Sequence, residues 1–316
     1  MNNPQVFIVA AAQATPVFLD RKATIAKACG LIEEAGHNGA KLIVFPEAFL
    51  PAYPDWVWLI PGNRLAVLDE LYTELVENSI SIPDDTTKKL CQAARKSKLN
   101  VVIGINERNS KASNTSLYNS LLFIDDSGEI LGKHRKLVPT SAERTVWSQG
   151  NGALETYDTS VGILGGLICW ENYMPLARNA MYANGIQVYA APTWDDGCMW
   201  ITSLQHIAKE GGMFVIGCCM PLHIRDIPDR FEFKQLYSKD TEWINSGNSC
   251  IIAPNGNIIA GPVKETEEII YAEIDLRQIT ASKRMFDVAG HYARPDVFDF
   301  KVNQRSEDMM RRIGAE

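Results

Sequence analysis

Short apolar runs recur along the chain, with segments of helical spacing between them. The run from Val6 stops at Gln13, which predicts a first strand at Val6–Gln13. Residues 22–36 follow, with Ile25, Cys29 and Ile32 at near-helical spacing and Gly36 as a stop. Residues 42–45 are a second, continuous apolar strand. Residues 54–79 begin aromatic-rich and turn helical, and residues 86–98 form another helix after Pro83 and Asp84. Strands are predicted at 101–105 and 121–124. The turn Asp125, Asp126, Ser127, Gly128 then leads into Ile130 and Leu131, a hairpin signal.

The second half repeats this grammar. Residues 161–169 predict a strand, 175–184 a helix, 187–191 a strand and 203–210 a helix. Strands follow at 214–219 and 249–253. The turn Pro254, Asn255, Gly256, Asn257 into Ile258 and Ile259 mirrors the earlier hairpin, and 269–274 closes the set. The pattern predicts an α/β chain of two similar halves in one domain spanning residues 1–300. A charged tail, 301–316, is expected to be a helix or an exposed arm that could serve as an interface.

Composition narrows the function classes. The chain has 316 residues, 46% hydrophobic and 22% charged, which fits an ordinary globular protein with a sizeable core. A net charge of −7, with no basic stripe interleaved with aromatics, argues against a nucleic-acid partner. No apolar run approaches the roughly 20 residues of a membrane span. The first run lacks a positive segment before it, so it reads as a strand and not as a signal peptide. The seven cysteines show no CxxC spacing and the five histidines no ligand pair, so neither a disulfide framework nor a metal site is expected. A reducing, cytoplasmic setting fits this usage.

Three segments carry candidate chemistry. The run GILGGLICW, residues 162–170, delivers Cys169 to what reads as a sheet edge, followed at once by Glu171 and Asn172. Sites in α/β proteins are commonly built at such edges, although a cysteine alone usually just fills space. In KLIVFPEAFLPAYPD, residues 41–55, Glu47 directly follows a buried strand, where a carboxylate is costly unless paired or used. In GKHRKLVPTSAERTVW, residues 132–147, Lys133, Arg135, Lys136, Arg144 and (if protonated) His134 surround Glu143. Alone, that segment reads as a solvated basic turn.

Together the three segments resemble the nitrilase superfamily of carbon–nitrogen hydrolases over residues 6–300. Glu47, Lys136 and Cys169 match its Glu, Lys and Cys, and Glu143 in PTxxER matches its second glutamate. The string CWENxMPL from Cys169, with Pro139, Thr140, Arg144, Trp147 and the late GHYARPD, is similar to the nitrilase branch. One departure is WSQGNG from Trp147, where the family often has Trp-Gly-x-Gly-Asp-Gly.

The resemblance implies a four-layer αββα sandwich and a nitrilase that turns an organic nitrile into carboxylic acid and ammonia. Cys169 is then the nucleophile, Glu47 the proton carrier and Lys136 the cation that favours thiolate and stabilises developing negative charge. Glu143 is expected to support Lys136. No metal or organic cofactor enters this scheme. Tyr53, Trp56, Trp147, Trp170, Thr193 and Trp194 are candidates for the substrate pocket or for ordinary core. Asn172 either donates near the thiol or caps the following helix, and His291 is read as packed or interfacial. The resemblance also implies a homo-oligomer, a dimer or larger, spirals included. Amide hydrolysis or cyanide hydration on the same scaffold is the nearest alternative. A papain-like peptidase lacks a recognisable histidine motif, and a non-enzymatic filament or binding module leaves the polar residues without a use.

Overall fold

The first predicted strand is buried along most of its length in the computed structural model, which describes residues 5–110 and 112–303. Val9 and Ala11 face one apolar cluster and Ala10 and Ala12 another. Such two-sided burial is what an unbroken apolar run means when a sheet is covered on both faces. In chain order the strands are β1 (Val6–Gln13), β2 (Ala40–Val44), β3 (Asn100–Arg108), β4 (Leu117–Ile124), β5 (Ile130–Arg135), β6 (Tyr157–Thr159), β7 (Gly162–Gly166), β8 (Val188–Thr193), β9 (Phe214–Cys219), β10 (Pro221–His223), β11 (Trp243–Ile252), β12 (Ile258–Lys264) and β13 (Glu268–Asp275). The helices are α1 (Arg21–His37), α2 (Leu65–Asn78), α3 (Asp85–Ser97), α4 (Pro175–Ala183), α5 (Cys198–Gly211) and α6 (Arg277–Lys283).

These elements make two sheets. One has the order β13-β1-β2-β3-β4-β5; the other runs β10-β11-β9-β8-β7-β6, with β12 paired to β11. The sheets face each other across Val9, Leu42, Val44 and Val102 on one side and Leu164, Val188, Ala190 and Ile216 on the other. Outside the first sheet lie α1 and α3, which bury Ile25, Ala28, Ile32 and Leu90. Outside the second lie α4 and α5, which bury Met181, Trp200, Leu204 and Ile207. The result is the expected four-layer αββα sandwich.

The hairpin turns fall where the sequence puts them, with Gly128 at φ 80° and Gly256 at φ 89°, a region open to glycine. The two halves are not self-contained, however. The last strand, β13, returns to the first sheet and pairs antiparallel with β1 over its whole length. The short strands β6 and β10 and helix α6 carry too few apolar positions to show in the pattern. Residues 301–303 are exposed, and the rest of the tail lies outside the described residues. Among the described residues, no helix is long and apolar enough to cross a membrane.

Candidate active site

Three chain turns converge on one buried cluster. Glu47 sits just past β2, in a turn that lies on β3. A Cβ on Gly104 would come 2.1 Å from the Pro46 carbonyl oxygen and 2.5 Å from the Ala48 nitrogen, so only glycine lets this turn pass. Lys136 follows β5, its N–H bonded to the Asn119 carbonyl at 2.8 Å. A Cβ on Gly150 would meet the Arg135 oxygen at 2.3 Å, so the WSQGNG departure keeps the glycine that matters here. Cys169 opens a short 3-10 turn, Cys169–Tyr173.

The sequence reading carried the cysteine strand through residue 169, but β7 ends at Gly166. Leu167 still bonds across to Ala190 at 3.2 Å. The next N–H, of Ile168, is captured at 2.7 Å by the Glu171 side chain, which turns the chain out of the ladder. Cys169 then adopts φ 52°, Ala48 φ 50° and Ser141 φ 47°. Left-handed conformations are uncommon for residues other than glycine, and here one stands in each of the three site turns.

The side chains meet directly. Lys136 Nζ donates to Glu47 Oε1 at 2.7 Å and to Glu143 Oε2 at 2.8 Å. Glu47 Oε1 also accepts from Asn119 Nδ2 at 2.7 Å, while its Oε2 is buried with no protein partner. Glu143 Oε1 accepts from the Tyr53 hydroxyl at 2.7 Å, and Oε2 from the Thr140 N–H at 2.7 Å. Thr193 Oγ1 donates to Cys169 Sγ at 3.2 Å.

The expected pull of Lys136 on the thiol is present but outweighed. Burial, and then the charge of Glu47, push the Cys169 thiol up; Lys136 pulls it down but does not prevail. Two carboxylates share one ammonium, which limits how far Lys136 can lower the thiol. Burial raises Glu47 against the pull of Lys136, with Glu143 adding to the rise. Burial opposes the charge on Lys136, yet Glu47, the thiol and Glu143 more than offset it and hold the ammonium charged. A raised carboxylate with an uncommitted oxygen, beside a thiol whose pKa is also raised, suits a base that takes a proton during attack.

A cavity of about 180 Å³ opens beside Cys169, lined by Tyr53, Trp58, Thr140, Glu143, Cys169, Trp170, Trp194 and Asp195. Tyr53 and Trp194 stack at 4.3 Å with 4° between their planes and form one flat wall. Trp170 is 50% exposed and tied by its indole N–H to Asp195 at 2.8 Å. A groove of about 390 Å³ lined by residues of α1 and α3 holds none of the candidate residues.

Of the predicted pocket residues, Tyr53, Trp170 and Trp194 line this space, and Thr193 touches the thiol. Three lie behind it. Trp56 packs against Phe18 and Phe233 in the core. Trp147 sets its edge on Tyr53 and donates to Asn106 at 2.8 Å. Asn172 does not line the pocket or cap α4, but it does donate next to the thiol, as one of its two readings had it. Its amide donates to the Leu167 and Cys169 carbonyls at 3.1 and 2.8 Å, which holds the cysteine turn closed. His291 is exposed beside Tyr292. Asn119, Trp58, Thr140 and Asp195 went unread. Of these, Trp58 sat in the aromatic stretch after the glutamate motif and Thr140 in the quoted PTxxER, so a signal existed.

Behind the flat wall, buried Asp55 accepts hydrogen bonds from the Tyr237 hydroxyl and the Trp194 indole. Burial pushes its carboxyl up to about 6, against the lowering effect of those two bonds. The folded value lies above the unfolded one of about 3.9, so its stabilising contribution is fully present below about pH 4 and lost as pH rises through the folded value. Wild-type stability is therefore expected to drop by up to about 3 kcal/mol between roughly pH 4 and 7. Asp55→Asn should lack that increment in thermal unfolding, and parallel pH curves for the two proteins would refute the assignment.

A two-sheet sandwich with a buried Glu–Lys–Glu cluster beside a cysteine defines a hydrolase scaffold, and the comparisons agree. A family model described as carbon-nitrogen hydrolase matches residues 8–284. The chain belongs to the carbon–nitrogen hydrolase family. It is 41% identical over 300 residues to the bifunctional nitrilase/nitrile hydratase NIT4B of Nicotiana tabacum, covering 93% of this chain and 85% of that protein. It is 40% identical over 301 residues to the aliphatic nitrilase of Sinorhizobium fredii, covering 94% and 96%. In structure it is similar to Saccharomyces cerevisiae Nit3, with a TM-score of 0.72, 22% identity and coverage of 92% and 97%. A carbon–nitrogen hydrolase of Helicobacter pylori gives a TM-score of 0.73 at 21% identity, covering 94% and 98%.

Proposed function

We propose that this chain is a nitrilase, hydrolysing an organic nitrile to its carboxylic acid and ammonia, with Cys169 as nucleophile. The observation that carries the reading is the shared Lys136 ammonium, bonded to both Glu47 and Glu143 beside a cavity that Cys169 lines. Identities of 40–41% to proteins named as nitrilases, over most of the chain, support the choice of nitrile over amide.

The reaction follows from the site. Glu47 takes the thiol proton as sulfur bonds to the nitrile carbon, and the proton passes to nitrogen, giving a thioimidate. Lys136 stabilises the negative charge that builds on nitrogen. Glu47 then takes a proton from water as it adds and passes it to the nitrogen, which also receives the hydroxyl proton as the carbonyl forms. The carbon–nitrogen bond breaks and ammonia leaves, which gives a thioester. A second water adds in the same way, the carbon–sulfur bond breaks, and acid and thiol are released. The aromatic walls suit a compact, apolar substituent on the nitrile.

Ammonia release from a panel of nitriles, run beside the matching amides, tests this. Turnover of nitriles to acid supports it; turnover of amides alone would overturn it. We place the enzyme in a reducing compartment, the cytoplasm, on the strength of its seven free cysteines. We also infer a homo-oligomer, as the family resemblance implies. Light scattering that found a fully active monomer would refute that.

A further inference from the structure

The proposed reaction leaves a second buried ion pair unused. His134, on β5, points its Nε2 at the Glu171 carboxylate, 3.1 Å from Oε1 and 3.0 Å from Oε2. Its Nδ1 lies 3.1 Å from the Ala153 carbonyl oxygen. A carbonyl and a carboxylate can only accept, so both ring nitrogens must carry protons and the ring is an imidazolium. The charge of Glu171 raises His134 against the opposing effect of burial, in keeping with that geometry. Both side chains are at most 5% exposed.

The same carboxylate takes two backbone donors. Glu171 Oε1 accepts from the Leu137 N–H at 2.6 Å, and Oε2 from the Ile168 N–H at 2.7 Å. Leu137 directly follows Lys136, and Ile168 directly precedes Cys169. The two segments come from different sheets, since β5 edges one and β7 belongs to the other. No strand ladder therefore fixes the lysine against the cysteine. One carboxylate spans that junction, and the imidazolium neutralises it so that it can stay buried.

We propose that Glu171, held by His134, is a positioning residue that sets the Lys136 ammonium against the Cys169 sulfur. This rests on the reading of Lys136 and Cys169 as catalytic groups. A displacement of about 1 Å between reacting groups costs on the order of 10²-fold in rate. Glu171→Gln turns one acceptor into a donor facing a backbone N–H and the His134 ring, so one side of the clasp cannot close. His134→Gln leaves both backbone bonds to Glu171 in place and removes the counter-charge together with the ring's own contacts.

The test measures kcat and KM for a good nitrile substrate. Each kcat is divided by the fraction of chains whose Cys169 is labelled by iodoacetamide and protected by substrate, read by intact-protein mass spectrometry. For Glu171→Gln, kcat per labelled site should fall about 10²-fold while KM stays within about threefold. For His134→Gln the fall should be about tenfold. A merely structural role would lower the labelled fraction and leave kcat per site intact. Either folded variant within about twofold of wild type per site overturns the proposal, and an insoluble Glu171→Gln leaves the decision to His134→Gln. Wild type and Cys169→Ala are run alongside. A wild type inert to nitriles, or an active Cys169→Ala, refutes the reading of the site; an unaffected clasp variant in a working enzyme refutes the clasp alone.

Discussion

Cys169→Ala is expected to remove nitrile turnover by a factor of about 10⁴ or more and to leave no covalent adduct on the chain. Glu47→Gln should lower turnover by about 10²–10⁴-fold, because glutamine matches glutamate in size but cannot accept the proton. The resting thiol makes this second variant informative. Burial and the two neighbouring carboxylates raise its pKa against the pull of Lys136, so a base assists the attack. Glu47 has the free oxygen for that work. Replacing it also removes one negative charge beside the sulfur, which eases thiolate formation. A time course of intact-protein mass spectra separates the two effects. Slow adduct growth means that Glu47 serves the thiol as well as the water. Rapid adduct growth with slow release means that it serves chiefly the water. Turnover near the wild-type rate would end the assignment of Glu47 as base. An adduct on any of the other six cysteines would end the reading of the whole site.

The sequence showed the two ends of each apolar run, and that is why Glu47 and Cys169 could be read from it. Each follows a strand-length run directly and is polar or reactive where the pattern demands burial. Lys136 was legible only through the family resemblance, since its segment otherwise reads as a basic turn. The structure shows why that reading fails. Lys133 and Arg135 both reach back to Glu107, His134 turns the other way to Glu171, and Lys136 enters the core. An alternating strand was hidden under a run of like charges. Asn119 was illegible for another reason. It lies within the β4 run, and only the pairing of β4 with β3 and β5 brings its amide to Glu47. The premature end of β7 was likewise invisible, because it depends on a side chain three residues later capturing a backbone N–H. Register is a contact between elements and side-chain capture a competition for one backbone N–H, and hydrophobic periodicity reports neither.

Lys136→Met carries the other large expected effect, on stability and on activity together. The ammonium and both carboxylates are no more than 2% exposed. Removing it strands Glu47 and Glu143 in the core as like charges, and breaking a buried pair this way costs about 3–5 kcal/mol. The pH dependence follows from the sign of the shift. Without the lysine, at least one carboxylate has a folded pKa well above its unfolded value of about 4.3, so the stability loss shrinks as pH falls and grows as pH rises through the folded value. Activity should fall at the attack step, since nothing then stabilises charge developing on the nitrile nitrogen. No adduct should form on Cys169 in intact-protein mass spectra. Instability could mimic that result, so the decisive protein is Lys136→Met combined with Glu143→Gln. The double variant removes one stranded charge, leaves a side-chain amide oxygen to accept the Tyr53 bond, and should recover much of the stability. It should recover none of the turnover. A double variant that folds well and hydrolyses nitriles near the wild-type rate would show that Lys136 holds the site together without taking part in the chemistry.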